Sequence, residues 1–203
     1  MAFDLDDTLF DRRAALELLL ERWTEAKVDP RRVTQMNLLP QRELLAELAL
    51  LSGGIDVTTV ARRFRADFPA CVASDAETIA VLDGLQATGV PLGLLSNGSP
   101  GMQLAKLRAC GAASYFQPRR RLISGAIRIE KPNPQAFHLL ADRLGVSPGE
   151  ILFIGDDPLR DIAGAMAAGM NACQILRAGR DRAAGVPVIE SLAELSKLLT
   201  SHA

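Results

Sequence analysis

The chain is poor in the residues that build several common kinds of site. Its 203 residues include 3 cysteines, Cys71, Cys110 and Cys173, an odd number with no Cys-x-x-Cys spacing. With His138 and His202 as the sole imidazoles, neither a disulfide scaffold nor a structural zinc site is expected. Aromatic residues make up 4%, too few for a base-stacking platform, so aliphatic side chains must build the core. The formal net charge of -1 excludes a strongly basic nucleic-acid or membrane binder, and the single basic run, Arg119-Arg120-Arg121, reads as a solvated strand start. Apolar runs stay far below the ~20 residues of a membrane span. An acid at Asp4 stands where a secretory leader would be basic. These absences lead to an expectation of a reduced, cytoplasmic protein with no nucleic-acid or membrane partner, monomeric or weakly dimeric. Lysine is scarce as well: 4 of the 23 basic residues are Lys (Lys27, Lys106, Lys131 and Lys197), so a lysine in a constrained setting draws attention.

What is present is a chain 48% hydrophobic, mostly Ala and Leu, long enough for one large domain or an ordinary domain with an insertion. From about Pro91 onward, short apolar runs alternate with helical patterns, as in a parallel sheet covered by helices. The runs predict strands at Pro91–Ser96, Arg121–Ser124, Ile151–Gly155, Asn171–Leu176 and Pro187–Ile189. Helices are predicted between them at Met102–Ala109, Pro134–Leu144, Asp161–Ala168 and Leu192–Leu199. Residues 12–73 differ, with helical patterns at Arg12–Lys27, Arg31–Leu38, Gln41–Leu51 and Val57–Phe68 and no strand run. The division expected is therefore an α/β core from residues 1–11 and 74–203, interrupted by a helical block at 12–73.

Four clusters carry chemistry. In Phe3-Asp4-Leu5-Asp6-Asp7-Thr8-Leu9 two acids stand two apart, which on an extended chain points both to one side. Such a pair can divide labour between nucleophile or metal ligand and general acid/base, or simply close a strand with an acidic turn. Ser96-Asn97-Gly98 ends a buried-looking strand, where open α/β sheets bind ligands; a hydroxyl beside backbone N–H groups suits phosphate oxygens, though the tripeptide also makes an ordinary turn. Lys131 lies in the stiffened loop Glu130-Lys131-Pro132-Asn133-Pro134, where its ammonium could partner a phosphate or face solvent. Finally, Ile151–Gly155 runs into Asp156, Asp157 and Asp161, hard oxygen donors that suit Mg²⁺, with Asp161 alternatively capping the next helix.

Taken together and in this order, the four clusters resemble the motifs of the haloacid dehalogenase superfamily, in its branch with a helical cap between the first and second motifs. The run from Phe3 to Leu9 resembles the first motif, Ser96 the second, Lys131 the third, and Gly155 to Asp161 with the following helix the fourth. The resemblance implies a Rossmann-like three-layer α/β core with an inserted all-helical cap that closes over the site. It implies Mg²⁺-dependent hydrolysis of a small-molecule phosphate ester, with Asp4 as the nucleophile that becomes an aspartyl-phosphate. Asp6 would protonate the leaving oxygen and then activate water. Ser96, the backbone at Asn97, and Lys131 would bind the phosphoryl group. Mg²⁺ would be held by the Asp4 carboxylate, the Asp6 carbonyl and the Asp156 carboxylate, supported by Asp161 and Thr8.

Dehalogenases of the family lack acids at the positions of Asp6 and Asp156, so the resemblance points away from halide displacement. Phosphonate cleavage uses a cap lysine, and Lys27, the lone lysine of the insertion, stands at a helix end. A phosphotransferase or mutase would use the same residues, and a non-catalytic phosphate binder would have no use for Asp6. Two departures stand out. Asp157 occupies a position that often holds Ser or Thr and is expected to face solvent. Three residues precede Asp4, short for a buried strand of ~5, which suggests a start lying further upstream. His138 reads as a packing or surface residue, and Arg62-Arg63-Phe64-Arg65 as a solvated helix face, with an anionic substrate as its alternative partner.

Overall fold

Short apolar runs bounded by polar turns become strands. In the computed structural model, which describes residues 1–196, they are β1 (Ala2–Phe3), β2 (Gly93–Ser96), β3 (Arg121–Ile123), β4 (Leu152–Gly155), β5 (Asn171–Ile175) and β6 (Val188–Ile189). All pair in parallel in one sheet of order β3-β2-β1-β4-β5-β6. β1, although two residues long, is central: Phe3 is in register with Leu94 of β2 on one side and Ile154 of β4 on the other. The chain order reverses direction across the sheet at β1 and β4, and crevices at such switch points, outside the carboxyl ends of the strands, are where open α/β sheets hold ligands.

The chain divides into two compact units, Met1–Phe10 with Ser74–Ala203, and Asp11–Ala73. The second unit is helical throughout: α1 (Arg12–Thr24), α2 (Pro30–Leu38), α3 (Gln41–Leu51) and α4 (Val57–Asp67), with a 3₁₀ turn at Phe68–Cys71. Aspartates open three of these helices by accepting first-turn amides, Asp11 from Ala14, Asp29 from Arg31, and Asp56 from Thr58 and Thr59. The helices bury Leu16, Leu19, Val33, Leu44, Val60 and Phe64, with Phe64 stacked on Phe68 at 4.7 Å. Arg62 and Arg65 are exposed, as a solvated face requires, while Arg63 lies 4.3 Å over the Trp23 ring.

In the first unit the sheet is covered by α5 (Ala76–Ala87), α6 (Pro100–Ala109), α7 (Ser124–Ile127), α8 (Pro134–Leu144) and α9 (Gly164–Ala167). The α8 side chains Phe137, Leu140 and Leu144 enter a core with Leu95, Phe153 and Ile162, and Phe137 meets Phe153 edge-on at 5.1 Å. A methyl group on Gly164 would stand 2.7 Å from the Phe137 ring, so α9 approaches α8 this closely because that residue has no side chain. Helix α5 escapes the sequence patterns. The helix expected at Asp161–Ala168 instead starts at Pro158 as wide π turns over Pro158–Ala163, because Asp157, not Asp161, accepts the opening amides of Leu159 and Arg160. The helix expected at Leu192–Leu199 begins as a turn over Leu192–Glu194, and from residue 197 it lies outside the described residues. No helix among the described residues is long and apolar enough to cross a membrane.

Candidate active site

Asp4 is the first residue beyond β1, and its amide donates to Ile154 O at 2.9 Å, so the sheet ladder fixes its backbone. The chain does not continue extended. Asp7 adopts the left-handed conformation (φ 57°), which Asp tolerates better than most residues, and Leu9 N closes on Leu5 O at 3.0 Å. Leu5 and Leu9, fully buried, anchor this turn. Asp4 and Asp6 therefore meet through a turn rather than through strand alternation, and Asp6 remains near enough for its charge to act on Asp4.

Lys131 binds the site together. Its buried ammonium lies 2.5 Å from Asp4 Oδ1 and 2.6 Å from Asp161 Oδ1, with the Phe153 ring 5.7 Å below. The residue lies in the expected loop, and α7 and a turn separate it from the end of β3. Asn97 holds it in place. The Lys131 amide donates to Asn97 Oδ1 at 2.9 Å and Asn97 Nδ2 donates back to Lys131 O at 3.0 Å. This reciprocal pair ties the lysine loop to the end of β2, where Ser96 is buried.

At the end of β4, Asp156, Asp157 and Asp161 are all buried. Asp157 does not face solvent as expected: it caps the following helix and meets Arg180 Nη1 at 2.9 Å. Asp161 is no cap; it pairs with Lys131 and accepts the Asp157 amide at 3.1 Å. Gly155 makes room for it, since a Cβ there would come within 2.5 Å of Asp161 Cβ and Cγ. Thr8 is fully buried, and its hydroxyl has no hydrogen-bond partner among the described residues.

Carboxylate oxygens of Asp4, Asp156 and Asp161 lie within 4.8 Å of one another. Burial, and then the charges of Asp161 and Asp6, push the Asp4 carboxyl up to about 7 in spite of Lys131. Burial and the Asp161 charge likewise raise Asp156, against the pull of Arg180 at 2.8 Å. Burial alone would lower the Lys131 ammonium, but Asp161 and Asp4 outweigh it and hold the lysine charged. Asp157 moves the opposite way: burial works against it, yet the Arg160 amide and the Arg180 charge keep its carboxyl below the usual range. The acids outnumber Lys131 and Arg180, and with the Asp4 carboxyl raised to about 7 the cluster takes up a proton readily as pH falls below neutrality. A set of hard oxygen donors with negative charge in excess fits a hard divalent cation such as Mg²⁺, which would take that proton's place.

A family model for haloacid dehalogenase-like hydrolases matches residues 1–169. The chain belongs to the haloacid dehalogenase-like hydrolases. Within this family it is 39% identical over 101 residues to a phosphoserine phosphatase of Thermus thermophilus, a stretch covering 50% of this chain and 40% of that one. The chain thus spans less than half of the length of that curated relative. The crystal structure of a phosphatase of the family from Thermococcus onnurineus superposes with a TM-score of 0.69 at 27% identity, covering 98% of this chain and 96% of that one. A 2-haloacid dehalogenase from Pseudomonas syringae pv. Tomato superposes at 0.65 with 25% identity, covering 100% and 98%.

Residues outside the four clusters also reach the site of this haloacid dehalogenase-like hydrolase. Lys106 Nζ lies 2.6 Å from both carboxylate oxygens of Asp6. Gln103 Nε2 donates to Asp6 Oδ2 at 2.8 Å and to Ser96 Oγ at 2.6 Å. The available signal was the scarcity of lysine and the three-residue spacing of Gln103 and Lys106 on the helix after Ser96. Arg180 gave none. Its loop is organised by the buried Gln174, which donates to Asp156 O at 3.1 Å and Asp181 O at 2.8 Å and accepts from Ala183 N. His138 is exposed on α8, its Nε2 3.2 Å from Ala168 O.

Proposed function

We propose that the protein is a Mg²⁺-dependent phosphomonoesterase for a small metabolite, working through a phosphorylated Asp4. The observation that carries this reading is the buried Lys131 ammonium bridging Asp4 and Asp161, with Asp156 beside them at the switch point of the sheet. An ammonium against one oxygen of Asp4 holds that carboxylate in a single orientation, leaving its other oxygen to attack phosphorus. Lys131, the Ser96 hydroxyl and the backbone N–H at Asn97 receive the phosphoryl oxygens, where charge accumulates in the transition state.

In the first half-reaction a bond forms from Asp4 Oδ to phosphorus as the ester P–O bond breaks, and the Asp6 proton passes to the leaving oxygen. In the second, Asp6 as carboxylate takes a proton from water, which attacks phosphorus and releases Asp4. Asp4, Asp156 and the Asp6 carbonyl would hold Mg²⁺, with Asp161 within reach of the same cluster. When bound, the ion supplies charge neutralisation that lets a dianionic phosphate approach buried carboxylates. Substrate selection falls to the helical unit at 11–73, proposed here as a cap, and a phosphoserine phosphatase among the relatives makes phosphorylated amino and hydroxy acids the first panel to try.

The test is hydrolysis of an aryl phosphate with Mg²⁺, with EDTA, and by Asp4→Asn, alongside release of chloride from a 2-chloroacid. Activity confined to the phosphate, lost in EDTA and in the variant, supports the reading. Activity that survives either, or chloride release in place of phosphate release, contradicts it.

A further inference from the structure

Helix α6 contributes two side chains to the site that none of the four motifs includes. We propose that Gln103 and Lys106 are positioning residues that set the Asp6 carboxyl for proton transfer to the leaving oxygen, with Gln103 fixing it relative to the phosphoryl-binding Ser96 hydroxyl, an inference that rests on the role of Asp6 given above. Asp6 extends from a turn rather than from a strand, with 21% of its side chain exposed, so the backbone alone does not fix its carboxylate. Lys106, with its side chain 7% exposed, touches both carboxylate oxygens at 2.6 Å and so holds the plane of the group.

Gln103 then couples two functional groups. Its amide nitrogen carries two hydrogens, one donated to Asp6 Oδ2 and the other to Ser96 Oγ. Because Ser96 accepts there, its own proton is directed elsewhere and is available to a phosphoryl oxygen. Gly98, at φ 141°, leaves the space for this amide, since a Cβ at that position would lie 3.0 Å from Gln103 Cδ. One helix face thereby places the group that gives up a proton and the group that binds the phosphoryl oxygen in fixed relation, which is the preorganisation that proton transfer demands.

The readout is the leaving group. An alkoxide needs a proton as it departs, whereas a nitrophenolate leaves without one, so misplacing Asp6 penalises alkyl phosphates selectively in the first half-reaction, while water activation in the second is common to both esters. Lys106→Met and Gln103→Leu are compared with wild type on an alkyl phosphate and on nitrophenyl phosphate. General acid catalysis contributes about 10²–10⁴-fold, so in Lys106→Met kcat/KM, which reports the first half-reaction, should fall by about 10–100-fold on the alkyl ester and by less than about threefold on the nitrophenyl ester; Gln103→Leu, which also releases Ser96, should add a further loss common to both esters. Lys106→Arg should recover part of the alkyl rate, and Lys106→Met should cost little in an Asp6→Asn background. Gln103→Leu, which removes no charge, supplies the comparison if Lys106→Met does not fold. Equal losses in kcat/KM on both esters, or additive effects with Asp6→Asn, would overturn the inference. A wild-type protein inactive on both esters, or activity that survives Asp4→Asn, would instead overturn the phosphatase reading on which it stands.

Discussion

Replacing Lys131 with Met keeps most of the side-chain volume and deletes the ammonium that Asp4 and Asp161 face at 2.5 and 2.6 Å. At an effective dielectric near 20, each such contact represents roughly 6 kcal/mol of gross attraction, much of it offset by the cost of burying the charges. What the substitution exposes is the asymmetry: the carboxylates stay buried without their counter-charge, and breaking a buried pair in this way costs about 3–5 kcal/mol. That is a large fraction of the ~5–15 kcal/mol that holds a typical domain together. The loss should grow with pH. An acid whose folded pKa lies above its unfolded value loses stability as pH rises towards the folded value, and Asp4, already near 7 with Lys131 present, moves higher without it. Urea denaturation of wild type and variant in chelator at pH 5 and pH 8 measures both effects, and adding Asp161→Asn to the variant should recover part of the loss. A change below about 1 kcal/mol at pH 8, or a deficit independent of pH, would refute the assignment of Lys131 as the buried counter-charge.

Three further outcomes follow from the same geometry. Mg²⁺ must displace the proton that burial and neighbouring acids keep on Asp4 near pH 7, so its apparent affinity should be about thirtyfold weaker at pH 5.5 than at pH 8, with proton release seen by calorimetry in buffers of different ionisation enthalpy. In the metal-free protein the same carboxyl makes stability fall as pH rises from about 4 to about 7, which thermal melts in EDTA will register. Gly155→Ala drives a methyl group to within 2.5 Å of Asp161 Cγ; it should cost about 1–3 kcal/mol and lower kcat by displacing the partner of Lys131, checked by urea melts and steady-state kinetics.

The sheet was readable because its strands are short, continuous apolar runs set between turn residues, and Leu94-Leu95-Ser96 and Phe153-Ile154-Gly155 announce both the strand and its functional end. The helices of residues 12–67 were readable from the helical spacing of their apolar residues, although the aspartates that cap them were not. Helix α5 was not, because Thr78, Leu82 and Leu85 are buried on a helix whose exposed face includes Ala80 and Gly84, leaving little contrast between its sides. Of the site, the acids and Lys131 stood out as motifs. Their partners did not, since Lys106 reaches Asp6 across 100 residues and Arg180 reaches Asp156 across 24, and contacts of that span leave no periodic trace in a single sequence. Asp157 was misread for a related reason: its burial comes from the cap it makes and from Arg180, neither of which its strand-end position reveals.

The proposed mechanism requires a covalent phosphoryl group at Asp4. An acyl phosphate is reduced by borohydride to an alcohol, so protein quenched during turnover of an aryl phosphate and treated with borohydride should show homoserine at position 4 in the peptide that spans it. The same peptide from protein without substrate should be unchanged. Intact Asp4 during continuing turnover, or a phosphoryl group found on Ser96, would contradict the account.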